Sequence, residues 1–321
     1  MKVGLYVKYF IHNRKGSVAG DALVAETLCK NLRKFPSIES AEVYSPDAPV
    51  KSRLDVIVYM NDTYPVREWA DKHVIYWQNG ATSGSSIEER FRDYYSRGYD
   101  GYAFFSRALL ERHISSGLTG VYLPFCADTS FYYPRDYEAR LDFDVAYVGN
   151  PKAANTMMRY IYPALRFNFA LFGCWTVSKR DTFRIEDRPY RKMFAAISRG
   201  RIPEDDVPPM YSSSKIILNT NIPQSSDLGV VSLRTYQVLA CKGFLISDPV
   251  PGMEDELRGK VVFTEGYDDL ADKIKYYLAH EDERRAIAEK GYNYAVKESQ
   301  SAASVSERLF TYLKELCDTC D

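Results

Sequence analysis

Arg234 stands in the first turn of a helix predicted for SLRTYQVLACKGFLISD (residues 232–248), a segment that runs through a glycine into a short strand. A cation at that end opposes the helix macrodipole, at a cost of about a few tenths of a kcal/mol. An anion lying on the helix end reverses the sign, since free N–H groups and a guanidinium attract the same charge. With Ser232 as N-cap and Gly229 in the loop before it, Arg234 and the backbone of Val231, Ser232 and Leu233 read as a cradle for a diphosphate. Spacing alone leaves two other readings of Arg234 open, exposure to solvent and pairing with Asp227.

Other chemistries find less support. The six cysteines are scattered, and four lie in apolar stretches where a buried free thiol is the ordinary outcome. Cys317 and Cys320 form a lone CxxC, and His12, His73, His113 and His280 include no i,i+4 pair, so no metal site is expected. The DFD of Asp142–Asp144 precedes its predicted strand, whereas a metal-binding DxD follows one. No GxGxxG follows a strand, and no GxxxxGK followed by Ser or Thr occurs, which removes the main support for dinucleotide and P-loop readings.

The elements that must position these residues alternate along the chain. Strand-length apolar runs occur at KVGLYVKYF, AEVYS, LDVIVYMN, KHVIYWQNG, GYAFFSR and GVYLPF, with helix-like segments such as GDALVAETLCKNLRKF and SIEERFRDYYSRG among them. A second series follows with FDVAYVGN, a helix through TMMRYIYPALRF, and then FALFGCW, KIILNTN, GFLISDP and VVFTEG. Strands alternating with helices predict parallel α/β sheets. The charged YYPRDYEARL, residues 132–141, reads as a linker, which gives domains at 1–137 and 138–300 and a C-terminal helix at 301–321. Ligands of such sheets sit beyond the carboxyl ends of the strands, where the predicted cradle falls.

With 321 residues, 45% of them hydrophobic, the chain can bury two sizeable cores. Lys and Arg number 42 against 43 for Asp and Glu, so no global field draws the chain to nucleic acid or anionic lipid. The N-terminal apolar run is too short for a signal sequence, and no stretch approaches about 18 apolar residues; a cytoplasmic protein without a transmembrane segment is expected.

RTYQVLACKGFLISD, preceded by YSSSKIILNTN and followed by GKVVFTEGYDDLADKIKYYLAHEDERRAIAEKGYNYA, resembles the C-terminal domain of the CgeB-like glycosyltransferases, a family within the group-1 type. FDVAYVGNP and YLPFCADTSFYYP resemble the same family, so the resemblance covers nearly all of the second domain and the end of the first. It implies the GT-B fold, two Rossmann-like domains with parallel sheets facing across a cleft. The acceptor then lies mainly on the N-terminal side and the nucleotide-sugar donor on the C-terminal side, and metal is usually not required. The chain departs from the family pattern at Gln237, where Glu is usual, and at Lys242, where Gly is usual. Gly229 replaces the first Glu of the E-x7-E pair of the wider group, and KESQSAAS replaces a His-Thr-Tyr-like stretch.

A nucleoside diphosphate leaving group needs its developing negative charge stabilised, and without a metal that falls to helix N-termini, Arg and Lys. Candidates beside Arg234 on the donor side are Asn150, Lys152, Arg159 and Asn219, with Lys152 equally readable as a solvated loop lysine, Gln237 able to hydrogen-bond the ribose, and Trp175 either stacking on the base or packing a wall. Tyr236 fits a core stripe. On the acceptor side, Gly16 and Gly20 flank a loop leading to Asp21, which is an N-cap or the base that takes the acceptor hydroxyl's proton; His12 is the alternative base. The Gly-Asp pair here also resembles the heptosyltransferases. Asn61, Asp62, Gln78, Asn79 and Gly80 share only their place at strand carboxyl ends. The expected reaction is transfer of a sugar, with UDP-sugar as first choice of donor, to a hydroxyl of an unidentified acceptor. A sugar-nucleotide epimerase of the same fold, or a transferase-like scaffold protein without turnover, are the alternatives.

Overall fold

A computed structural model describes residues 1–9, 20–77, 86–175, 188–221 and 228–318. His12, Gly16, Gln78, Asn79, Gly80, Asp227 and Cys320 lie outside the described residues.

Strands form at each of the eleven apolar runs. β1 (Lys2–Tyr6), β2 (Ser40–Tyr44), β3 (Leu54–Tyr59), β4 (Ala70–Trp77), β5 (Gly101–Phe104) and β6 (Val121–Tyr122) make a sheet of order β2-β1-β3-β4-β5-β6. Every neighbouring pair in it is parallel. β7 (Val145–Val148), β8 (Phe169–Phe172), β9 (Ile216–Asn219), β10 (Leu245–Ser247) and β11 (Val262–Phe263) make a second parallel sheet of order β11-β10-β9-β7-β8. Central strands such as β3 and β9 are apolar without alternation because helices cover both faces: Val56, Ile57, Val58 and Tyr59 are buried in succession, as are Ile216, Ile217 and Leu218.

The helices are α1 (Gly20–Leu32), α2 (Ile87–Ser96), α3 (Arg107–Ile114), α4 (Ala154–Tyr160), α5 (Arg188–Ile197), α6 (Val207–Ser213), α7 (Leu233–Ala240), α8 (Glu254–Leu257), α9 (Tyr267–Ala279), α10 (Glu281–Val296) and α11 (Ala302–Asp318). Their ends follow local chemistry. α2 starts at a capping box, in which the Ser86 hydroxyl accepts from Glu89 N at 3.2 Å and the Glu89 carboxylate accepts from Ser86 N at 2.8 Å. The helix expected through TMMRYIYPALRF stops at Tyr160 and continues as a 3-10 turn, Tyr162–Arg166, because Pro163 has no N–H to extend the α-helical ladder.

The chain divides into two compact units. The first comprises Met1–Asp128, Pro223–Leu233 and Glu298–Asp321; the second comprises Thr129–Ile222 and Arg234–Lys297. These limits differ from the 137/138 and 300/301 boundaries read from composition. The C-terminal helix is part of the first unit because its apolar stripe, Ala302, Val305, Leu309 and Leu313, is buried in that unit's core. Phe310 stacks on Phe35 at 4.3 Å between ring centroids, and the Tyr312 hydroxyl accepts from Tyr102 N at 2.8 Å. Segment 228–233 is tied to the same unit: Leu228 and Val230 join its core, and Ser106 Oγ donates to Leu228 O at 2.6 Å.

Candidate functional site

In the second unit, the residues that follow β7, β8, β9 and β10 gather polar groups at the carboxyl edge of the sheet. Arg234, the second residue of α7, donates from Nη1 to Asn219 Oδ1 at 2.8 Å, and its guanidinium lies over the Tyr147 ring at 5.1 Å. Asn219 Nδ2 donates onward to Ser247 Oγ at 3.0 Å, which itself donates to Asp248 Oδ1 at 3.0 Å. Asp248 also accepts from Asn221, at 3.0 and 2.9 Å from the backbone N and 2.7 Å from Nδ2. Asn219, Asn221, Ser247 and Asp248 are all buried, so the guanidinium hangs on a polar network that water does not replace.

Two glycines give this edge its close approaches. A Cβ on Gly149 would lie 2.6 Å from Arg234 Nη2 and 2.9 Å from the Tyr147 hydroxyl oxygen. Gly173 has φ +142°, and a Cβ there would lie 2.1 Å from Gly149 O, so the loops after β7 and β8 can meet only at glycine. Asn150 joins the same loops by accepting from Cys174 N at 3.1 Å.

Lys152 carries the clearest electrostatic signature. Its amine is pushed down to about 8 from an ordinary 10.5, first by burial and then by the field of Arg234, with Asp248 opposing both. Among the described residues it has no hydrogen-bond or ion-pair partner. Burial likewise raises the Asp248 carboxyl, against its hydrogen bonds and Lys152. Two cations held near each other, one of them partly desolvated, form a site whose charge an anion would complete.

The first unit holds a separate pair. Asp21 is in the first turn of α1 and accepts a hydrogen bond from Asn61 Nδ2. Asn61 is buried, and its Oδ1 accepts from Lys8 N at 3.0 Å, which fixes the amide so that its N–H₂ faces Asp21. Burial raises the Asp21 carboxyl, while Asn61, Lys8 and the helix backbone pull it back. Asp62, next in sequence, is ion-paired with Arg97, which also binds Asp93.

The model of a family described as glycosyl transferase-like matches residues 157–310. Sucrose-phosphate synthase from Thermosynechococcus elongatus is similar in structure, with a TM-score of 0.69 at 10% identity over 99% of both chains. Anabaena HepE in complex with UDP-glucose has a TM-score of 0.69 at 10% identity, over 98% of this chain and 100% of that one. The fold is GT-B. A putative UDP-N-acetylglucosamine 2-epimerase from Listeria monocytogenes is similar to this GT-B chain as well, with a TM-score of 0.61 at 11% identity over 100% of this chain and 97% of that one. No curated protein matches the chain in sequence. The family-model match and the GT-B fold together support the group-1 type of glycosyltransferase.

Of the residues singled out by sequence, the second unit of this GT-B fold brings Asn150, Lys152, Asn219 and Arg234 to one sheet edge. Trp175 is 4% exposed, packs against Tyr147 and Phe194, and donates to Phe172 O at 3.3 Å; it fills the core, so its burial corrects the expectation of a ring open to a base. Tyr236 is core, stacked on Tyr294, and Gln237 is buried in mid-α7. Arg159 leaves the group: its Nε donates to Glu265 O at 2.6 Å and its guanidinium lies over Tyr160 and Tyr267. Gly229, at φ +70°, and Val231, Ser232 and Leu233 belong to the first unit, so the predicted cradle is split between units at Leu233 and Arg234. Sequence reasoning passed over Tyr147, Gly149, Asn221, Ser247 and Asp248. The signal was available, since GFLISDP puts Ser247 and Asp248 at a strand's carboxyl end. Among the described residues no helix is long and apolar enough to cross a membrane, and no three or more His, Cys, Asp or Glu side chains cluster as a metal site would require.

Proposed function

We propose that the chain is a CgeB-like glycosyltransferase that moves a hexosyl or pentosyl group from a nucleoside diphosphate sugar, UDP-sugar first, to an acceptor hydroxyl without a metal. The observation that carries this reading is the presence of both Lys152 and Arg234 at the carboxyl edge of the second sheet, where burial first and the charge of Arg234 second depress the lysine. A diphosphate placed there relieves the repulsion and receives charge-assisted hydrogen bonds. Support for uridine comes from the similar Anabaena structure, which is a complex with UDP-glucose.

In the reaction, the bond from the sugar's anomeric carbon to the β-phosphate oxygen breaks and a bond to the acceptor oxygen forms. The departing diphosphate gains charge as it leaves, and Arg234 and Lys152 stabilise that charge more than they stabilise the bound donor. The acceptor's proton needs a base, and Asp21, whose burial raises its basicity and whose orientation Asn61 holds, is the candidate for that role. Buried Gln237 is the ribose-facing group of this reading and contributes hydrogen bonds without charge.

A thermal-shift panel of UDP, GDP, ADP, CMP and TDP and their sugars, with and without Mg²⁺, tests the proposal on wild type and Arg234→Ala. One diphosphate is expected to raise the melting temperature without metal and to lose that effect in Arg234→Ala. If no nucleotide stabilises the wild type, the donor reading is wrong and a binding role without turnover replaces it.

A further inference from the structure

At the other, amino-terminal edge of the second sheet lies a cavity of about 390 Å³, bordered by Lys215 before β9, Phe244 before β10, the end of α6 and one face of α10. Four cations line it, Lys215, Lys242, Arg284 and Arg285, against two carboxylates, Asp142 and Glu281. Three of the cations have carboxylate partners: Lys215 with Asp144 at 2.6 Å, Lys242 with Glu289 at 2.7 Å, and Arg285 with Glu281 at 2.5 Å.

Arg284 does not. It is 9% exposed, its Nη1 donates to Tyr277 O at 2.6 Å, and among the described residues it forms no ion pair. Asp142 and Glu281 favour its charge only at a distance, Arg285 opposes it, and burial lowers its pKa. A largely buried guanidinium on a cavity wall, with N–H groups to spare, presents donors that an anion in the cavity can accept.

Lys242 supplies a second, independent observation. It follows α7 with φ +54°, a left-handed conformation that glycine adopts freely and that costs another L-residue about 1 kcal/mol. The side chain lines the cavity, with its Nζ paired to Glu289 and lying 4.9 Å from the Tyr292 ring centroid.

We propose that this cavity is an anion site for a phosphate-bearing small molecule, bound by Arg284 with Lys215 and Lys242 beside it. It is separate from the edge that carries Arg234, so it does not depend on the donor assignment. Asp144 and Glu289 balance Lys215 and Lys242, so the preference for phosphate rests on the Arg284 fork, whose several N–H donors suit an anion with three terminal oxygens.

The test is calorimetric and thermal-shift titration with inorganic phosphate, glycerol 3-phosphate and citrate, at constant ionic strength set with sodium chloride. Wild type, Arg284→Gln, Lys242→Gly and Arg234→Ala are compared. Phosphate and its ester are expected to bind saturably and to raise the melting temperature by roughly a few degrees. Arg234→Ala should keep this response, Arg284→Gln should lose it, and Lys242→Gly should weaken it about tenfold while melting no lower than wild type. A response that sodium chloride reproduces, that survives Arg284→Gln, or that disappears in Arg234→Ala overturns the proposal. Citrate binding without phosphate binding overturns the phosphate assignment. If Arg284→Gln does not fold, Lys242→Gly decides, and an unchanged affinity there rejects the site.

Discussion

Because Lys152 is held near 8 in the ligand-free protein, binding of a diphosphate should carry a proton with it. The drop from 10.5 to about 8 corresponds to roughly 3 kcal/mol of penalty on the charged amine, set by burial and Arg234. A diphosphate supplies the missing counter-charge and returns the amine to an ordinary lysine range, so the bound state stays protonated where the free state does not. Affinity for UDP should then be flat near pH 7 and fall above pH 8, reaching about a tenfold loss at pH 9, where about one free molecule in eleven keeps its proton. Calorimetry in buffers of different ionisation enthalpy should record uptake of about half a proton at pH 8 and close to one at pH 9. Lys152→Arg, whose guanidinium does not titrate, is the control: it should bind UDP with no such uptake, and whatever slope it keeps belongs to the nucleotide. Wild-type binding that takes up no proton between pH 7.5 and 9 would refute the reasoning, since the amine would then be charged throughout or remote from the phosphates. The same shift makes folding stability rise with pH between about 8 and 10.5, because the unfolded chain binds the proton that the folded chain has lost.

Three further outcomes follow from neighbouring contacts. A Cβ on Gly149 meets Arg234 Nη2 at 2.6 Å and the buried Tyr147 side chain at 2.9 and 3.0 Å, so Gly149→Ala should lower the melting temperature and weaken UDP binding by on the order of tenfold by displacing the guanidinium; calorimetry on the folded protein checks this. Asp248→Asn sets an amide donor against the Asn221 N–H groups and should cost about 1–3 kcal/mol in urea unfolding, while the pH at which UDP affinity declines moves below 8 because an opposing charge on Lys152 is gone. In the first unit, His73 accepts from the Tyr59 hydroxyl at 3.0 Å and meets Ala70 O at 3.0 Å, and His113 repeats the arrangement with Tyr95 at 2.9 Å and Thr119 O at 2.9 Å. Burial lowers both pKa values, so the neutral rings stabilise the fold above the unfolded pKa of 6.5, and stability should fall by up to about 1.4 kcal/mol per pH unit for each as pH drops below it. Urea unfolding at pH 7.5, 6.5 and 5.5 measures the slope, and equal stabilities would contradict the assignment.

Much of the fold was legible because its signals are local. LDVIVY and KIILN are apolar without interruption, as strands covered on both faces must be, and polar helix-like segments separate most such runs, so two parallel sheets could be read directly. Arg234, Asn150 and Lys152 were found by the same kind of rule, since polar residues just past a buried strand or in a helix's first turn lie at the ligand edge of such a sheet. Asp248 obeys that rule too and was passed over, because nothing in GFLISDP shows that its partners are Asn221 and, through space, Lys152.

By itself the sequence determined the eleven strands, their separation into two series, and the presence of cations and amides at strand ends. Tertiary structure alone decided which of those groups meet: strand order β11-β10-β9-β7-β8 brings residues 149–152, 219–221 and 247–248 to one edge although nearly a hundred positions separate the first from the last. It also returned α11 and segment 228–233 to the first unit, because the apolar stripe of Ala302, Val305, Leu309 and Leu313 and the side chains of Leu228 and Val230 are buried there. Periodicity records that a face must be buried, not against what; and the depression of Lys152 is a sum over burial and neighbours that exists only once the chain has closed around it.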